Sequence, residues 1–88
     1  MRLLANSMVF EIVGGYVIAS PCRGGVFIDL VYSTSPNVIR HYLSDFIRLF
    51  KGLGFSAIYC VPNTPAHARL YRRFGFLPHN DEVLERML

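Results

Sequence analysis

The sequence predicts one α/β (α+β) domain over residues 1–88, a mixed sheet with helices in the order β-β-β-α-β-α, with a last short element undecided. Three observations carry that reading. Apolar residues make up 52% of the chain and charged residues only 17%, against about a quarter in an average domain, so apolar surface is ample to offset chain entropy. The first third of the chain consists of β-branched and aromatic runs punctuated by glycine. After Ser35 the pattern takes helical period, returns to a short apolar run, and turns helical again. So short and apolar a chain is expected to leave sheet surface for a protein partner or a second copy.

Residues 8–13, MVFEIV, read as a strand around Glu11, and Gly14-Gly15 as a turn into the strand YVIAS, 16–20. PCRGG (21–25) is a second turn, and VFIDLVYS (26–33) a near-continuous apolar strand interrupted by Asp29, of the kind found mid-sheet. Ser35 as cap and Pro36 in the first turn open a helix. Its apolar stripe is Val38, Ile39, Tyr42, Leu43, Phe46, Ile47, Leu49 and Phe50, and it stops at KGLG, where Gly52 and Gly54 supply a left-handed cap. SAIYCV (56–61) is a strand, and strand-helix-strand order calls for a right-handed crossover between parallel strands. Thr64 and Pro65 start a second helix that reaches Phe74, Gly75 closes it, and Phe76 folds back on the last turn. Residues 81–88 read equally as a helix capped by Asp81 or as an edge strand.

Net charge is +3, but its distribution is more informative. Arg40, Arg48, Lys51, Arg69, Arg72 and Arg73 occupy the stretch 40–73 with Asp45 as its only acid, which suits an anionic ligand such as a nucleotide phosphate or solvated helix faces equally. No nucleic-acid-binding motif accompanies them, and no nucleic-acid partner is expected. Cys22 and Cys60 form no CxxC pair, and His41, His67 and His79 have no metal-ligand spacing, so no metal site is expected. Two lone thiols fit a reducing, cytoplasmic setting, with a single disulfide in a secreted chain as the other reading. The apolar start of MRLLANSMVF is interrupted by Asn6 and Ser7, too soon for a signal peptide or a membrane span.

Two residues carry candidate chemistry. Asp29 is a carboxylate in an apolar strand, either a base or a side chain facing solvent across an uncovered sheet face; Glu11 is the second choice. Tyr71 lies with His67, Leu70 and Phe74 on one helix face, with the arginines at 69, 72 and 73 on the other side. It reads as a packed aromatic or as an acid, since a phenol of pKa ~10 is still protonated at neutral pH.

The stretch IYCVPNTPAHARLYRRFGF resembles the C-terminal half of the GNAT family of acetyl-CoA-dependent N-acetyltransferases. A strand ends at an Asn-containing loop, and a helix follows with an alanine, a Leu-Tyr pair and a closing Gly-Phe, here Asn63, Ala66 or Ala68, Leu70-Tyr71 and Gly75-Phe76. The order of elements from about Met8 onward is similar as well. The resemblance implies a GNAT-like mixed sheet lacking the family's first strand and first two helices, in the size class of short phage-encoded members. It implies acetyl-CoA as cofactor and a protein or other bulky amine as acceptor, with Tyr71 protonating the leaving thiolate and Asp29 taking the amine proton. Ser33, Thr34, Ser35, Asn63 and Thr64 would contact the cofactor. The family's glycine-rich phosphate loop is replaced by STSPNVIR at 33–40, and Thr64 rather than Asn63 stands seven residues before Tyr71. Those departures point to the alternative: a catalytically silent GNAT-fold module that binds and modulates another protein.

Overall fold

The computed structural model describes the backbone of residues 2–4 and residues 6–88 in full. The mixed fold expected from the sequence is present. Strands β1 (Arg2–Leu4), β2 (Ser7–Ile12), β3 (Gly15–Cys22) and β4 (Gly25–Ser33) form an antiparallel meander. Helix α1 (Val38–Gly52) then crosses to β5 (Ala57–Cys60), which pairs parallel to β4. Helix α2 (Pro65–Arg73) leads to β6 (Leu77–Pro78) and β7 (Leu84–Met87), and the sheet order is β1-β2-β3-β4-β5-β7-β6.

The N-terminal strand β1, with its Leu4 opposite Ser7 of β2, was not foreseen from the sequence. The tail left undecided is strand, pairing with β5, with Leu84 in the core and Glu85 and Arg86 after it half-buried. Glycine assignments shift by a residue. Val13 and Gly14 form the first hairpin turn, and Gly15 belongs to β3, where a Cβ would come 1.8 Å from the Tyr32 carbonyl oxygen. In the second hairpin Pro21 and Cys22 finish β3, and the turn is Arg23-Gly24.

One face of the sheet carries the core. Phe10, Val17, Ile28 and Ile58 point toward Leu43, Phe46 and Phe50 of α1, together with Tyr71 and Phe76. Phe10 meets the rings of Phe46 and Phe50 edge-on at 5.3 and 5.7 Å, a favoured aromatic geometry. Leu49, placed on the helix stripe by sequence, is instead 39% exposed. Among the described residues no helix covers the opposite face, where Val9, Ile18 and Leu30 form one cross-strand row and Glu11, Tyr16 and Tyr32 the next. The whole body is only 20 Å thick along its shortest axis, consistent with one sheet and one helical layer.

A β-bulge sets which side chains of β4 face each way. Ala19 pairs with Ile28 and Ile18 with Leu30, leaving Asp29 as the extra residue. Strict alternation from Ile28 would send Leu30 inward and Val31 outward. The bulge reverses this: Val31 packs on the core, while Asp29, Leu30 and Tyr32 are exposed on the other face. Asp29 is therefore not buried, and its carboxylate accepts a 2.5 Å hydrogen bond from the Ser20 hydroxyl.

Both helices stop by the same device. At the end of α1, Gly54 (φ 92°) donates to the Lys51 carbonyl and Phe55 donates to Phe50; at the end of α2, Gly75 (φ 92°) donates to Arg72 and Phe76 donates to Tyr71. In each case the aromatic after glycine packs against the aromatic whose carbonyl it bonds, Phe55 on Phe50 at 6.0 Å and Phe76 on Tyr71 at 5.2 Å. Gly52 lies within the helix and is not part of the cap. Gly75 is further constrained because a Cβ there would approach the Arg86 Nε at 2.8 Å, and that nitrogen donates to the Phe74 carbonyl. Gly54→Ala is expected to destabilise by about 1–2 kcal/mol from left-handed strain, and Gly75→Ala by more because it also displaces Arg86. Gly52→Ala, with open space around it, should stabilise by up to ~1 kcal/mol. Thermal unfolding of the three variants should order as Gly52→Ala, Gly54→Ala, Gly75→Ala from highest to lowest midpoint.

Candidate active site

The parallel pairing of β4 with β5 ends at Ile28 opposite Cys60, yet β4 runs on to Ser33. Its last five residues therefore diverge from β5 and open a cleft of about 590 Å³. Asp29 to Val31 and Ser33 form one wall, and Cys60, Val61 and Asn63 the opposite side. The first turn of α1, with Asn37 to Arg40, closes one end, and α2 supplies Ala66, His67, Arg69, Leu70, Tyr71 and Arg73.

The two catalytic candidates, Asp29 and Tyr71, both line this cleft. Glu11, the second choice for a base, does not. Tyr71 is 5% exposed, and its ring is fixed against Phe76 by the helix stop. Its hydroxyl makes no hydrogen bond among the described residues, and none of their fully buried side-chain polar atoms lacks a partner. The hydroxyl accordingly opens onto the cleft. Burial, with a smaller contribution from the neighbouring Cys60 sulfur, pushes the phenol well above its ordinary value, so it holds its proton across the neutral range.

The five cofactor candidates divide. Ser33, Ser35 and Asn63 line the cleft; Thr34 and Thr64 do not. Three of the hydroxyls are used internally. Ser33 donates to the Val13 carbonyl at 2.6 Å, Thr34 donates to Gly14, and Thr64 caps α2 by accepting the His67 N–H at 3.1 Å. The segment 33–35 is thus laced to the first hairpin, with the Ser35 N–H donating to the Ser33 hydroxyl.

Ser35 and Pro36 do not open α1 as the sequence predicted. Asn37, in the left-handed region at φ 58°, is the cap residue, and the helix starts at Val38. No side chain caps it and no acid occupies its first turn, so the start of α1, which lines the cleft with Asn37 to Arg40, is an anion-attracting end. Arg69 and Arg73, assigned to the far side of α2 by periodicity, also line the cleft; Arg72 alone stays outside. The one clue in the sequence to this uncapped end was Pro36-Asn37, a turn signal just ahead of the helical period.

Among the described residues no histidine, cysteine and carboxylate group gathers into a metal-binding set. Both cysteines are free, Cys22 exposed and Cys60 buried. Among the described residues no helix is long and apolar enough to cross a membrane.

The fold matches that of a solved structure described as a "putative acetyltransferase from Agrobacterium tumefaciens", with a TM-score of 0.72. The match covers 93% of this chain and 74% of that one at 17% identity, so the likeness is one of fold. No protein-family model and no curated protein matches the sequence.

Burial raises the Cys60 thiol from 9.0 to about 12, and the unfolded chain loses that proton near its ordinary value. Between about pH 9 and 12 the unfolded state therefore binds fewer protons than the native state, and stability falls as pH rises. Tyr71 adds to this loss above about pH 10. Below pH 9 neither group contributes a slope. Thermal midpoints should be flat from these groups at neutral pH and decline above pH 9, and Cys60→Ala should flatten the first part of that decline.

Proposed function

We propose that this chain is a minimal acyl-CoA-dependent N-acyltransferase of the GNAT type, acting on an amine borne by a protein or another bulky molecule. The observation that carries this reading is the divergence of β4 from β5, which leaves one cleft touching Asp29, the Tyr71 hydroxyl and the uncapped start of α1. A volume of about 590 Å³ is within the range of small-molecule sites and suits an extended pantetheine arm. The α1 N-terminus with Arg40, Arg69 and Arg73 would hold the phosphates in place of a glycine-rich loop.

Acetyl-CoA, when bound, would supply a thioester carbonyl open to attack by an amine. Asp29, exposed and held by Ser20, would accept the proton released as the C–N bond forms, directly or through water. Tyr71 keeps its proton at neutral pH and can deliver it to the sulfur as the C–S bond breaks. Because the ring and backbone of Tyr71 also finish α2, only its hydroxyl is free for chemistry.

The alternative, a silent GNAT-fold module that binds another protein, is favoured by one observation: the Ser33 and Thr34 hydroxyls are turned to the first hairpin rather than to a phosphate. Calorimetry separates the two readings. Acetyl-CoA should bind with micromolar affinity and dephospho-CoA more weakly. No heat, together with no thermal stabilisation at millimolar ligand, removes the enzyme reading.

Tyr71→Phe should leave cofactor affinity and thermal midpoint nearly unchanged while lowering turnover by ~100-fold or more, the usual weight of a general acid. An unchanged rate takes Tyr71 out of the mechanism. Asp29→Asn should likewise lower turnover with little effect on cofactor affinity, most strongly at low pH, where the acceptor amine is still protonated.

A further inference from the structure

We propose that Ser20 and Ser7 are positioning residues for Asp29, joined in a one-way chain of hydroxyls that holds one carboxylate oxygen and leaves the other to take the proton of the acceptor amine. The inference rests on the acyltransferase reading, which makes Asp29 the base. Asp29 needs such a hold. As the extra residue of the bulge it has no partner in β3, since Ala19 pairs with Ile28 and Ile18 with Leu30. It is also exposed, and an exposed side chain is free to sample several rotamers. The Ser20 hydroxyl meets its Oδ2 at 2.5 Å, the length of a strong charge-assisted bond.

The direction of the chain follows from proton counting. An ionised carboxylate only accepts, and a serine hydroxyl has a single proton to give. Ser20 gives that proton to Asp29, so at the 2.9 Å contact between the two serine hydroxyls Ser7 is the donor and Ser20 the acceptor. Each donor polarises the next, and Ser7 thereby strengthens a bond it does not itself make. The three residues stand on β2, β3 and β4, and backbone ladders join each of these strands to the next. Both serines are half-buried, so the hold on Asp29 is built on sheet rather than on a loop. With Oδ2 engaged, Oδ1 takes an N–H proton of the attacking amine, whose lone pair forms the C–N bond. Tyr71 supplies a proton to the sulfur, which leaves with the electron pair of the C–S bond.

Ser20→Ala should lower kcat by ~10-fold with KM for acetyl-CoA unchanged, because a misaimed base slows the chemical step without touching the cofactor. Ser20→Thr, which keeps a hydroxyl, should restore the rate. Ser7→Ala should lower kcat by a factor of ~2 in the parent and have no effect in the Ser20→Ala background, since Ser7 acts only through Ser20. Carbon NMR reads the chain without turnover. The difference in the Asp29 carboxyl signal between light and heavy water should be larger in the parent and in Ser20→Thr than in Ser20→Ala. An unchanged kcat in Ser20→Ala, a rate that Ser20→Thr fails to restore, or losses that multiply in the double variant each overturn the proposal, as does a carboxyl signal indifferent to Ser20. A parent without turnover, or one whose turnover ignores Asp29→Asn, overturns the acyltransferase reading and this inference with it. A parent that needs Asp29 but ignores Ser20 overturns this inference alone.

Discussion

The extra residue in β4 is the constraint on which the rest of this small structure depends. A strand of nine residues cannot present Ile28 and Val31 to one core unless its alternation is broken between them, and Asp29 is where it breaks. The break has three effects at once. It completes the core under α1 with Val31, it turns Leu30 and Tyr32 to the uncovered face, and it sets a carboxylate at the point where β4 leaves β5. The hydrogen bond from Ser20, itself bonded to Ser7 at 2.9 Å, ties that point across three strands. Core, cleft and outer face are therefore not independent features of the fold.

Tyr71 both ends α2 and lines the cleft. Its carbonyl and ring terminate α2, a duty that any aromatic could perform, as Phe50 does for α1. Its hydroxyl has no part in that termination and emerges in the cleft. The parallel between FKGLGF and YRRFGF isolates the phenolic oxygen as the difference between a purely structural stop and one that can also carry a proton.

Much of the architecture was legible in the sequence because it rests on local signals: glycine at left-handed turns, Thr64-Pro65 at a helix start, period changes between strand and helix. What was not legible depended on pairing. The bulge at Asp29 looks like ordinary apolar strand until the register with Ile18 and Ala19 is known. The tail could become strand only because β5 offers it a free edge. Likewise Ser35 and Pro36 have the residue types of a helix start, but Ser33 and Thr34 are held by the first hairpin, and α1 begins two residues beyond Pro36. Of the site, the candidates Asp29 and Tyr71 could be named from sequence. The cleft that joins them, and Arg69 and Arg73 within it, required the divergence of two strands that periodicity cannot show.

The outermost strands have a consequence for how this chain can assemble. One edge of the sheet is three residues long and the other two, and the latter ends in Pro78, which has no N–H to offer an incoming strand. Growth by adding strands side by side, the route that leads to unbounded fibres, is thereby denied a long template. The exposed Tyr16, Leu30 and Tyr32 lie on the broad face of the sheet instead.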